Sequence, residues 1–164
     1  MSRLRRGPFA LVLLLLAAAC SNGSVHGSTP EAAAAASLPF ETLLQKSNPG
    51  QAGESRREVV RDQETWTRVW AELREGTSLP AEPPAVDFGR DMVILTAMGT
   101  QGCVSKVTIR QVTLQGQELV VDLLEAPPAP NFVCIVSERP FHLIRLRKSE
   151  LPARFEAEQG RTEC

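Results

Sequence analysis

The residues able to do covalent or acid–base chemistry are few. The chain of 164 residues has four cysteines, two histidines and no tyrosine. Nucleophilic hydrolysis needs a serine or cysteine, a base beside it and a group that orients the base. The only histidine outside the polar amino-terminal stretch is His142, in "PFHLIRL". There it alternates with Ile144 and Leu146, as a structural histidine on one face of a strand would. The sequence holds no G-x-S-x-G elbow, no phosphate-binding P-loop and no dinucleotide fingerprint. The carboxylate pairs Glu72/Glu75 and Asp87/Asp91 fall on a helix flank and in a loop, where solvated surface accounts for them. No C-x-x-C spacing occurs and the histidines are isolated, so neither a metal site nor a cofactor is expected. Those absences point to a protein that is not an enzyme.

Cysteine chemistry is more informative. Cys20 ends the stretch "LLLLAAACSNGS". Ahead of it lie the basic "MSRLRR" and an apolar run, "FALVLLLLAAA", of about 11 residues, where a ~30 Å hydrocarbon core needs ~20. A charged head, a short apolar segment and small residues read as a secretory signal over residues 1–19. "AAAC" resembles a bacterial lipobox, although Ala17 stands where leucine is commoner. That resemblance implies cleavage before Cys20, acylation of its thiol and of the new amino terminus, and membrane attachment. Several acyl chains at ~0.8 kcal/mol per buried methylene make such an anchor effectively permanent. Ser21, in place of aspartate, resembles the default for sorting to the outer membrane. The alternative is an ordinary signal peptide that leaves Cys20 free.

An exported chain meets oxidising chemistry, so Cys103 and Cys134, 31 positions apart, are expected to pair. The alternative is two free buried thiols. Cys164, the last residue given, is harder to hold in disulfide geometry.

These residues need a scaffold. Residues 20–37, small, polar and then alanine-rich, bury too little to offset ordering entropy and read as a tether containing His26. Alternation begins at "LPFETLLQKS", a first strand over 38–47, followed by a loop and the short strand "REVVR". In "DQETWTRVWAELREG", Trp66, Val69, Trp70 and Leu73 recur at i, i+3, i+4 and i+7, an amphipathic helix over about 62–75 with both indoles in the core. Asp62 suits its N-cap, Gly76 the position after its C-cap, and Glu64 an i,i+4 pair with Arg68. The apolar Met92–Leu95 is expected to be a strand covered on both faces. Residues 104–126 read as a hairpin about Gly116, with a bulge at Arg110–Gln111. "FVCIV" (132–136) and "FHLIRLRK" (141–148) complete six to seven strands, and the tail runs over the surface. The expected fold class is α+β, a mainly antiparallel sheet or sandwich with one helix packed on it, over residues 38–158, with 159–164 as a tail. Without residues 1–19 the chain has 15 basic and 19 acidic residues, formally −4, which argues against nucleic acid as a partner.

The order of these segments carries a family resemblance. "VVRDQETWTRVWAEL", a proline-rich gap, "VDFGRDMVILTAMGTQG", "VSKVTIRQVTLQGQELVVDLLEAPPAP" and "RPFHLIRLRK" together resemble the C-terminal domain of protease complex subunit PrcB over residues 57–148. The resemblance implies a small β-rich accessory domain, lipid-anchored and associated with an envelope protease, with no catalytic residue to carry over. The departure is in the loop after the central strand: "GTQGCVSK" keeps Gly99 and Gly102 but lacks the family's proline and tyrosine.

The leading expectation is a non-catalytic lipoprotein of the cell envelope that binds or scaffolds another envelope protein, with a protease as the candidate partner, from the outer membrane. A small-ligand or peptide-binding module, using Gly99, Gly102, Asn131 and Phe132 in two neighbouring loops, is the alternative. A hydrolase depending on His142 is the third. Nothing in the sequence sets the oligomeric state.

Overall fold

The computed structural model describes residues 36–49, 52–103, 105–127 and 133–160. All lie in the second of two compact units, which begins at Ala32. Among the described residues are nine strands and one helix.

One sheet has the order β1 (Ala36–Ser37), β6 (Lys106–Gln115), β7 (Glu118–Ala126), β9 (Ala153–Gln159). The other runs β2 (Phe40–Pro49), β8 (Ser137–Arg147), β4 (Asp91–Ala97), β3 (Arg56–Val60), with β5 (Gln101–Gly102) added to β8. Every pairing is antiparallel except that of β7 with β9. The expected α+β class, mainly antiparallel with a single helix, is the fold observed.

Strand β4 shows why the core has two halves. Met92 and Ile94 point toward the first sheet and pack with Ile109, Val112, Leu119, Val121 and Leu123. Val93 and Leu95 point the other way, into a cluster with Trp66, Val69, Trp70 and Leu73. All four residues of the run are fully buried, as a continuous apolar strand requires.

Helix α1 (Gln63–Arg74) covers that second face. Asp62 caps it by accepting from the Thr65 N–H at 2.8 Å, and these bonds hold its carboxyl below the usual carboxylate range. Gly76, at φ 69°, follows the C-cap Glu75 in the left-handed conformation that ends many helices. The indole N–H of Trp66 donates to the Pro84 carbonyl at 3.0 Å, and that of Trp70 to Pro80 at 3.1 Å. The proline-rich connection is therefore a strap across the helix that satisfies both buried donors. Arg68 pairs with Glu72 and Glu58, and not with Glu64 as its spacing suggested. Pairing with Glu58 ties the helix to β3, a contact that helical spacing cannot reveal.

Three further expectations are corrected. Residues 133–136 form no strand. Strand β8 begins at Ser137, where its neighbours end: Pro49 pairs with Glu138, and Gly102 with Ser137. A strand extended upstream would have no ladder to join. The tail is not loose surface, because Ala153–Gln159 runs beside β7 and packs Ala153 and Phe155 on the inter-sheet core. The segment read as tether gives up its last two residues to β1, which pairs Ala36 with Leu114 and Ser37 with Thr113. The bulge falls between Ile109 and Gln111, and β6 turns into β7 through Gly116 at φ 62°.

Candidate functional site

Two places hold the residues singled out by the sequence. The first is the end of the sheets where β5, β6 and β8 begin. Cys103 and Cys134 are bonded, with Cα atoms 5.5 Å apart. The cystine joins the start of the hairpin to the segment entering β8. Its surroundings are well tied: the Thr100 N–H donates to the Gly53 carbonyl at 2.9 Å, and the Gly53 N–H to Thr100 Oγ1 at 3.0 Å. Gly99 lies against this contact, since a Cβ there would stand 3.3 Å from the Gly53 carbonyl oxygen and the Ser55 nitrogen. Gly102 is in β5, and its carbonyl accepts from Ser105 Oγ at 2.7 Å. Gly99 thus serves close backbone packing, and Gly102 takes part through its main chain alone. Cys20, Asn131 and Phe132 lie outside the described residues.

Held by this staple is an apolar surface. Val133 is 86% exposed, Ile135 97% and Val136 44%. They are the large hydrophobic residues most exposed in the described chain. Beside them a cleft of about 470 Å³ is lined by Gln45, Lys46, Ser47, Lys106, Glu138 and Pro140, among others. Neither lysine makes an ion pair among the described residues, whereas arginines elsewhere pair repeatedly with carboxylates, as in Arg110 with Asp122 and Arg145 with Glu41. Apolar knobs beside a cleft with two unpaired cations can accept an extended, partly acidic partner segment.

The second place is His142, only 2% exposed, on the inter-sheet face of β8. Its Nδ1 accepts from the Ile109 N–H at 2.8 Å, so the ring proton is on Nε2. Nε2 lies 3.0 Å from Thr42 Oγ1 and donates to it. Burial, reinforced by Lys106, pushes the imidazole pKa down to about 4, so the ring is neutral at physiological pH. In this tautomer the nitrogen facing Thr42 is already protonated and cannot take the hydroxyl proton. The arrangement is that of a clamp. Ile109 immediately precedes the bulge, and its N–H would otherwise be orphaned between the sheets. Gln45, paired with His142 in register, acts similarly by donating to the Val107 carbonyl and to Thr108 Oγ1, both at 2.8 Å. Thr96, on the other side of His142 in the same row, is fully buried and its hydroxyl has no hydrogen-bond partner among the described residues.

Sequence reasoning found the cystine and the strand position of His142 but missed the exposed run at 133–136. Its β-branched composition imitates a buried strand. The available signal was positional, since a cysteine bonded elsewhere interrupts a run that follows directly on the proline-rich 127–131. Of the carboxylate pairs, Asp87 takes up a local turn by accepting from Gly89 N–H at 3.0 Å, and Glu72 binds Arg68 and Arg56. Among the described residues no group of three or more His, Cys, Asp or Glu side chains is placed to hold a metal, and no helix is long and apolar enough to cross a membrane. No family model, curated protein or solved structure matches the chain.

Proposed function

We propose that this protein is a lipoprotein of a bacterial cell envelope, anchored through Cys20, whose β domain is a non-catalytic docking module for another exported protein. The observation that carries the docking role is the stapled run Val133–Val136, aliphatic and largely in water. Each such side chain offers a partner ~1.5–3 kcal/mol on full burial, and the cystine lowers the ordering entropy that binding must overcome. The amino-terminal basic, apolar and small-residue pattern supports the anchor, and a cystine-bearing domain suits an oxidising compartment. The segment order, which resembles that of the PrcB C-terminal domain, favours an exported protease as the partner class. A neutral His142, with Nδ1 bonded to Ile109 of the facing sheet and Nε2 to Thr42 of its own, supports a role without catalysis.

The adjoining cleft of about 470 Å³ favours one second reading, a module that binds extended peptides. Affinity capture from solubilised envelopes distinguishes these readings. A stoichiometric protein recovered with the wild type, and lost with a Val133→Asp/Ile135→Asp variant, is the expected result. Equal recovery with both chains, or none with either, overturns the docking role. Mass spectrometry of the membrane fraction tests the anchor, which requires acyl mass on an amino terminus beginning at Cys20.

A further inference from the structure

We infer that β9 is a self-association edge, through which two copies of this chain join their four-stranded sheets into one. The inference stands apart from the docking role, which uses the segment entering β8 of the other sheet.

Strand β9 is the last strand of its sheet, and no described strand lies beyond it. Its hydrogen-bonding parity is fixed at both ends. The Pro152 carbonyl accepts from Leu119 N–H at 2.9 Å, and the Gly160 N–H donates to the Glu125 carbonyl at 2.7 Å. Residues 152 and 160 therefore face β7, and the register between them is unbroken. By alternation, Arg154, Glu156 and Glu158 also direct their main-chain groups at β7. Ala153, Phe155, Ala157 and Gln159 direct theirs outward, a row of donors and acceptors that no other described strand pairs. Natural edges are commonly guarded by proline, a bulge, or lysine. Between Ala153 and Gln159 this strand has none of these.

The side chains choose the occupant. Ala153 and Phe155 pack inward on the core, which places Arg154, Glu156 and Glu158 on the outer face. There Arg154 binds Glu118 at 2.9 Å and also Glu156 of its own strand, and Glu158 binds Arg110 at 2.6 Å. A second β9 laid antiparallel about a twofold axis keeps the outer faces continuous. Centred on Phe155, the pairing sets Arg154 opposite Glu156 of the other copy, twice by symmetry, and apposes no like charges. Centred on Glu156, it apposes two Glu156 carboxylates between two Arg154–Glu158 pairs. Centred on Arg154, it apposes two guanidinium groups, and centred on Ala157 it sets Glu156 against Glu158 twice. Like charges directly opposite are destabilising and opposite charges favourable, so of these four registers the Phe155-centred one alone gains opposite-charge pairs with no like pair against them. The edge is thus complementary to itself in one alignment, as an isologous interface must be.

Native mass spectrometry of the full chain released from detergent micelles tests this with two charge reversals. Wild type is expected as a dimer, while Arg154→Glu and Glu156→Arg alone each fall to monomer. Arg154→Glu apposes glutamates at both cross-strand positions, and Glu156→Arg apposes arginines. Mixed in equal amounts, they restore both opposite-charge pairs, and the differing masses identify the heterodimer directly. A misfolded chain would not be rescued by mixing. A monomeric wild type, single variants that remain dimeric, or a mixture that gives no heterodimer would each overturn the inference.

Discussion

Two apolar runs of this chain look alike in sequence and meet opposite fates. Met92–Leu95 is wholly buried, sealed by a sheet on one face and by helix α1 on the other. Val133, Ile135 and Val136 stand in water at the cystine-bound end. Propensity does not separate them, because both are rich in β-branched residues. What separates them is the ladder. Strand β4 lies between β3 and β8, whereas the 133–136 segment starts before either neighbour of β8 is within reach. A buried run contributes to folding, and an exposed run fixed by a covalent staple leaves its burial energy unused within the described fold.

The comparison is sharpened first by truncating the buried run. Ile94→Ala and Leu95→Ala are each expected to cost ~2–5 kcal/mol, by lost transfer energy and the cavity left behind. Ile94 tests the inter-sheet core and Leu95 the helix-facing core, and urea denaturation reads both. Next comes the staple. Replacing Cys103 and Cys134 together by serine opens a loop spanning 31 positions and is expected to cost ~3–4 kcal/mol in the chain-entropy model. The same variant should show faster amide exchange at 133–136 than in β4, and unchanged exchange there would break the claim that the cystine holds the segment.

The His142 clamp gives a pH signature that the exposed run lacks. Its folded pKa of about 4 lies below the ordinary 6.5, so between these values the unfolded chain binds the extra proton. Stability from this group is full above pH about 6.5 and is lost as pH falls toward 4, by up to about 3 kcal/mol. His142→Gln can still accept from Ile109 and donate to Thr42. The difference between wild type and this variant in denaturation midpoints should therefore change over that window and be flat above it. The smallest expected effect is at the exposed run, where Ile135→Asp should shift stability by no more than ~0.5 kcal/mol. A loss comparable to that of Ile94→Ala would mean that Ile135 is core.

Much of this architecture was readable because its signals are local. The indole spacing, the Asp62 cap and Gly76 placed the helix within a residue at each end. The change of phase between Ile109 and Val112 announced the bulge. What escaped notice depends on partners far away in sequence. The tail has weak periodicity because only Ala153 and Phe155 of β9 pack on the core, and its other residues face water, so a parallel strand resembled a loop. The proline-rich strap was legible as a break but not as an acceptor for two indole donors. At the candidate site the cystine was readable from the cysteine count and the expectation of export, while the exposure of its neighbours depends on where β2 and β5 stop.

The most direct test of the docking role puts a photo-crosslinking residue at position 135 of the full chain in living cells, with a matched probe at Glu64 on the exposed helix flank. A single adduct of defined mass from position 135, absent from position 64 and abolished by Val133→Asp, is the expected result. No adduct at 135, or the same adducts from both positions, would contradict it.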